Sequence, residues 1–199
     1  MITALKSART AICQAYSIGS PGGSSMSGVS GGARATNTAG RIACVYEAAK
    51  IIAAVENQDD EYTGWLLWAY GPATVASLSS NQRRAIEAVA ARTDLAGWCE
   101  SLRPAGVIRA ELVMFAAMDN YRALSVSGAR KFRKPAHWDQ AVRRISAGQV
   151  GINTNQFNRE YSALIECVDL ACDALDAVAL GPVAAALSEV RSYRGETAA

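Results

Sequence analysis

Between residues 157 and 175 the apolar side chains stand at Phe157, Tyr161, Leu164, Val168, Cys172 and Leu175, always three or four positions apart. That spacing keeps them on one face of an α-helix and is incompatible with the two-residue alternation of a strand. Such a stripe must be covered by other apolar surface, and the chain supplies it in the same period. Ile42, Val45, Ala49 and Ile52 share a spacing of three and four, as do Trp138, Val142 and Ile145. In "VIRAELVMFAAMDNYRAL" the apolar residues Val107, Ile108, Leu112, Phe115, Met118 and Tyr121 spread over a wide arc, which predicts a central core helix. Half of the chain is hydrophobic, enough for a real core, and alternating β-branched runs are scarce. The expected fold is all-α and multi-helical.

Breaks in composition divide the chain into an N-terminal segment and arm (1–40), a helical core (41–125), a basic segment with two helices (126–180) and a C-terminal helix and tail (181–199). Residues 17–40 hold seven glycines and six serines, which predicts a flexible arm. It lacks the G-K-[ST] ending of a phosphate-cradling loop. "DEYTGWLLWAYGP" reads as a short helix stopped by Gly71-Pro72, with Trp65 and Trp68 in the core and Asp59, Asp60 and Glu61 as a solvated loop triplet. Ser79 and Gln82 have the spacing of a capping box. A further short helix is expected after Gly181-Pro182.

The chemistry-bearing residues argue against several classes. Five cysteines form no C-x-x-C pair and His137 is the single histidine, so neither a metal site nor a cofactor is expected. No nucleophile motif is present, and an enzyme is the least expected outcome. No uninterrupted 18-residue apolar run and no signal pattern are read, so the expectation is an intracellular protein with no membrane partner.

Charge is unevenly placed. The whole chain carries +2, yet seven basic residues against one acid, Asp139, give 122–144 a local +6. Arg122, Arg130, Lys131, Arg133, Lys134, Arg143 and Arg144 make up this footprint, which suits phosphate binding. Pro135 fits the first position of a helix. A turn over 148–152 follows, and Asn153 is expected to cap the next helix with Gln156 three residues on. Helix, glycine-containing turn and helix make a helix-turn-helix order, in which the opening of the second helix meets base edges. Asn and Gln pair with adenine and Arg with guanine. Asn155, Gln156, Asn158 and Arg159 are therefore the expected base readers, with Asn153 and Thr154 on phosphate. Glu166, Asp169, Asp173 and Asp176 would form an acidic face turned to solvent or to a basic partner.

Several of these blocks, in order, resemble the lambda-type bacteriophage Q antitermination proteins. "LSSNQRRAIEAVA", "VIRAELVMFAAMDNYRALSVSGAR", "KPAHWDQAVRRI" and "TNQFNREYSALIECVDLAC" are similar to that family's conserved helices, over roughly residues 78–176. The family's cysteine-ligated zinc insertion is missing, since Arg130 is followed only by "KFRK" before Pro135. Lys131, Arg133 and Lys134 are expected to supply phosphate contacts in its place. The resemblance implies a non-enzymatic factor in the cytoplasm of a bacterial host. It would bind double-stranded DNA at a phage late promoter. It would engage paused RNA polymerase through sigma and the β flap, then suppress pausing and termination, often with NusA. Two other readings stand beside it: a helix-turn-helix repressor or activator of initiation, and a helical interaction module without DNA binding.

Overall fold

The computed structural model describes residues 2–18, 38–100 and 102–193, and the expected Gly/Ser arm lies mostly outside them. Among the described residues the chain is all-α: nine helices and no strand. They are α1 (Ile2–Ile18), α2 (Thr38–Glu56), α3 (Asp60–Tyr70), α4 (Ala73–Ala76), α5 (Ser79–Thr93), α6 (Leu95–Cys99), α7 (Pro104–Ser127), α8 (Pro135–Ile145) and α9 (Phe157–Tyr193). Two compact units result, one from Met1–Arg83 with Val178–Ala199 and one from Arg84–Ala177. Their bounds fall inside α5 and α9, not at the changes in composition near 41, 126 and 181.

In the first unit α1 packs on α2 and α3. Ile12, Val55, Trp65 and Leu66 are fully buried there, so the tryptophans are core residues, with the Trp65 and Trp68 rings 5.6 Å apart. Gly71 caps α3, and its N–H reaches the Leu67 carbonyl. Asp60 and Glu61 open α3 instead of lying in a loop; acidic side chains suit that positive end of a helix. The face of α2 that packs is Ala48, Ile51 and Val55, whereas Ile42 and Val45 of the expected stripe are exposed. Both faces of this Ala-rich helix offer apolar positions at helical spacing, so periodicity could not choose between them. Ser79 lies inside α5, and Leu78 occupies the capping position, its carbonyl accepting from Gln82 N–H.

The second unit is built around α7, with Ala110, Val113, Met114, Ala117 and Met118 buried. Phe157, Tyr161, Leu164, Val168, Cys172 and Leu175 are all buried, as their spacing requires. The neighbouring acids form the expected solvent-facing surface only in part, with Glu166 and Asp173 exposed. Asp176 is buried; the Tyr121 hydroxyl lies 2.7 Å from Asp173 Oδ1 and 2.9 Å from Asp176 Oδ2 and donates to this pair. Asp169 accepts from the Arg130 guanidinium at 2.6 Å, and only Glu166 of the four keeps an exposed position without such a partner shown.

No helix ends at Gly181-Pro182. Instead α9 runs unbroken through Pro182 for 37 residues. A proline inside a helix removes one hydrogen bond and crowds the preceding turn. Here Leu180 and Val183 are fully buried on either side of it, and that burial holds the helical path. The stretch Phe157–Ser192 of this helix contains a window apolar enough, by length and composition alone, to cross a membrane, as core helices of soluble proteins also do. Only 39% of that window is buried. The expected break had divided this stretch in two.

Candidate nucleic-acid interface

Pro135 is the first residue of α8, where its missing N–H costs no hydrogen bond. The helix buries Trp138, Ala141 and Val142 on one side and exposes Gln140, Arg143 and Arg144 on the other. It ends in a double reversal. Gly148 N–H reaches the Arg143 carbonyl at 2.7 Å and Ala147 N–H the Arg144 carbonyl at 3.4 Å, the bond pair of a Schellman motif. Ala147 (φ 51°) and Gly148 (φ 84°) both take left-handed backbone. Ser146 Oγ then accepts from Val150 N–H at 3.0 Å and tightens the turn.

Asp139 fixes the exit of that turn. Its Oδ1 accepts the Ile152 backbone N–H at 2.8 Å and its Oδ2 accepts from Arg143 Nε at 2.7 Å. The Arg143 bond, then the Ile152 bond, hold this carboxyl below its usual range against the opposing effect of desolvation. Beneath the turn runs a ladder of rings. Phe132, Trp138, Phe157 and Tyr161 follow one another at centroid separations of 5.4, 5.5 and 5.8 Å. It joins the 128–134 segment, α8 and the opening of α9 in one apolar seam. Tyr161 at its end is pushed up, first by burial and then by Glu160, with Arg109 opposing.

The expected amides do not all lie on a helix. Asn153 opens a turn over 154–156: its Oδ1 accepts from Asn155 N–H at 3.1 Å and its carbonyl from Gln156 N–H at 3.2 Å. This side-chain turn competes with helical capping, so α9 starts only at Phe157. Thr154, Asn155 and Gln156 therefore precede the helix, and Asn158 and Arg159 lie in its first turn. All five are exposed, as is Asn153. Arg159 has no ion pair among the described residues.

The basic residues divide into neutralised and open positions. Arg130 pairs with Asp169, Arg143 with Asp139, and Lys131 with Asp119 at 3.0 Å. Arg144 stands 3.9 Å from the same Asp119 carboxylate. Arg133 is exposed, with its Nε donating to the Arg130 carbonyl at 3.4 Å, and Lys134 is exposed at the capping position of α8. The local excess of positive charge is thus partly balanced by Asp119 and Asp169, which lie outside the basic stretch in sequence. Phe132, inside that stretch, is half-buried, and its N–H donates to buried Asn120 Oδ1 at 2.9 Å.

Arg143 is brought close to the amides, because its guanidinium lies against Gly151, two residues before Asn153. Lys131 and Arg144 instead border a depression of about 310 Å³ whose other walls are Phe132, His137, Gln140 and Ala141. Sequence reasoning missed Asp119, Asp169, His137 and Gln140 as parts of this surface. Only the Asp139–Arg143 pair carried a local signal, opposite charges at i and i+4 on a helix. No group of three or more His, Cys, Asp or Glu side chains that could hold a metal ion is found among the described residues. No protein-family model, curated protein or solved structure matches this chain.

Proposed function

We propose that this chain is a DNA-binding transcription factor of the antitermination kind, reading duplex DNA with the opening of α9. The observation that carries the reading is the joint exposure of Thr154, Asn155 and Gln156, in the turn before α9, and of Asn158 and Arg159, in its first turn, while the other face of that helix is buried. Amides and an arginine at that end can reach base edges in a major groove while α8 lies toward the backbone. Lys134 and Arg133 supply cations for phosphate. The step from DNA binding to antitermination rests on the resemblance to the lambda-type phage Q proteins. It brings with it a late promoter, paused RNA polymerase contacted through sigma and the β flap, and assistance by NusA.

The test is terminator read-through in vitro with bacterial holoenzyme. The template carries the late promoter of the genome that encodes this chain. Read-through that requires the promoter in cis and is lost with Arg159→Ala supports the reading. Altered initiation with unchanged termination supports a repressor or activator instead. A second reading, a helical interaction module, is favoured by one observation: Arg130, Lys131 and Arg143 already have carboxylate partners within the chain. Absence of promoter binding at moderate salt would select it.

A further inference from the structure

Three features stand outside the reading above: the exposed apolar face of α2, the buried Tyr121–Asp176 contact, and the depression beside Asp119. Only the last combines shape, charge and an identifiable ligand chemistry. Its rim carries two cations, Lys131 and Arg144, and its walls add His137 and Gln140. His137 Nδ1 accepts from Arg133 N–H at 3.4 Å, which puts the proton of the neutral ring on Nε2. Lysine, guanidinium, imidazole N–H and amide N–H are all donors suited to a phosphate oxygen. The floor, Phe132 and Ala141, is apolar and makes no competing bond.

An anion already faces these cations. Both Asp119 oxygens lie 3.0 Å from Lys131 Nζ, and Oδ2 lies 3.9 Å from Arg144 Nη2. The side chains of Lys131 and Arg144 are 51% and 68% exposed, so each contact is screened by water and contributes little to folding. The longer Arg144 contact falls short of a hydrogen bond. A phosphodiester, like a carboxylate, presents two charge-bearing oxygens and matches the guanidinium fork.

We propose that this depression seats one backbone phosphate of duplex DNA, and that the Asp119 carboxylate occupies the two cations until DNA displaces it. The proposal rests on the DNA-binding reading and adds a brake to it. Free Lys131 and Arg144 are partly neutralised, which weakens attachment to arbitrary DNA. Engagement through the α9 opening brings a phosphate to the pocket and exchanges one anion for another.

The experiment measures binding of a labelled mixed-sequence duplex over a salt series, using full-length protein and its variants. Asp119→Asn should bind about 3- to 10-fold more tightly, the gain expected from releasing one or two exposed ion pairs. The slope of log affinity against log salt should steepen by about one phosphate contact. Asp119→Asn combined with Lys131→Ala and Arg144→Ala should lose the gain. Glu111→Gln, the same charge change elsewhere on α7, should produce none. Asp119→Ser replaces Asp119→Asn if circular dichroism shows that the first variant does not fold. An unchanged affinity and slope, a gain that survives removal of both Lys131 and Arg144, or an equal gain from Glu111→Gln each overturns the brake while leaving DNA binding in place. If no variant and no wild-type protein binds any duplex, the DNA reading itself falls, and the brake with it.

Discussion

Asp139 and Ile152 are joined by a 2.8 Å hydrogen bond that spans the turn between α8 and α9. The carboxylate sits on the first helix and the N–H at the exit of the turn, so the bond sets where the chain emerges toward Asn153. Replacing Asp139 with Ala leaves the Ile152 N–H without its acceptor and Arg143 without its pair. The expected loss is about 1–3 kcal/mol, read from urea unfolding. Asp139→Asn retains an oxygen for Ile152 and should lose less.

The same residue predicts a pH dependence. Arg143 and Ile152 lower the folded-state pKa of Asp139, so the unfolded chain takes up its proton first as pH falls. Its stabilisation is complete above about pH 4 and is lost as pH falls through the lowered folded value. The stability gap between wild type and Asp139→Asn should therefore be largest at pH 7 and shrink by pH 3. A gap that widens in acid would contradict the pairing.

The Trp138–Phe157 contact ties α8 to α9 at 5.5 Å between ring centres. Phe157 is 4% exposed, so truncation to Ala opens a cavity in a packed seam. The cost should be about 3–5 kcal/mol, with Phe157→Leu costing distinctly less. Equal costs for the two would mean that ring stacking, not volume, governs the site.

Arg159→Ala separates binding from folding. The side chain is exposed in the first turn of α9, so stability should change by no more than about 0.5 kcal/mol. Affinity for the promoter site should drop by about tenfold or more. Thermal melts and fluorescence anisotropy on the same preparations distinguish this from a folding defect.

Backbone conformation offers two stabilising changes. Ala147 holds a left-handed conformation (φ 51°) at the end of α8, and Ala147→Gly should add about 1 kcal/mol. Gly181 lies inside α9, where a Cβ would meet nothing within 4 Å. Gly181→Ala should add a similar amount, about 0.8–1 kcal/mol. A loss in chemical denaturation for either would show that its local geometry is not the controlling one.

Helical period alone was enough for the all-α class and for the buried face of α9, because a stripe from Phe157 to Leu175 has one solution. It was also enough for the start of α8, where Pro135 tolerates only a few positions. Period could not choose a face on α2, where alanines make both sides acceptable. It could not carry α9 through Pro182 either, since burial of Leu180 and Val183 is a property of the packed chain. The site divides the same way. The amides and Arg159 were legible as a local cluster at a turn and helix start, while their exact distribution depended on the Asn153 side chain choosing Asn155 N–H.

What the sequence by itself determined is the helical class, the long buried stripe and the concentration of amides and cations around 130–159. What only the tertiary structure decided is how much of that charge is open. Asp119 meets Lys131 and Arg144, and Asp169 meets Arg130, across separations in sequence that no local pattern encodes. The physical reason is that helix formation is governed by neighbours three and four residues away, whereas charge is cancelled by whatever the packed core brings within a few ångströms.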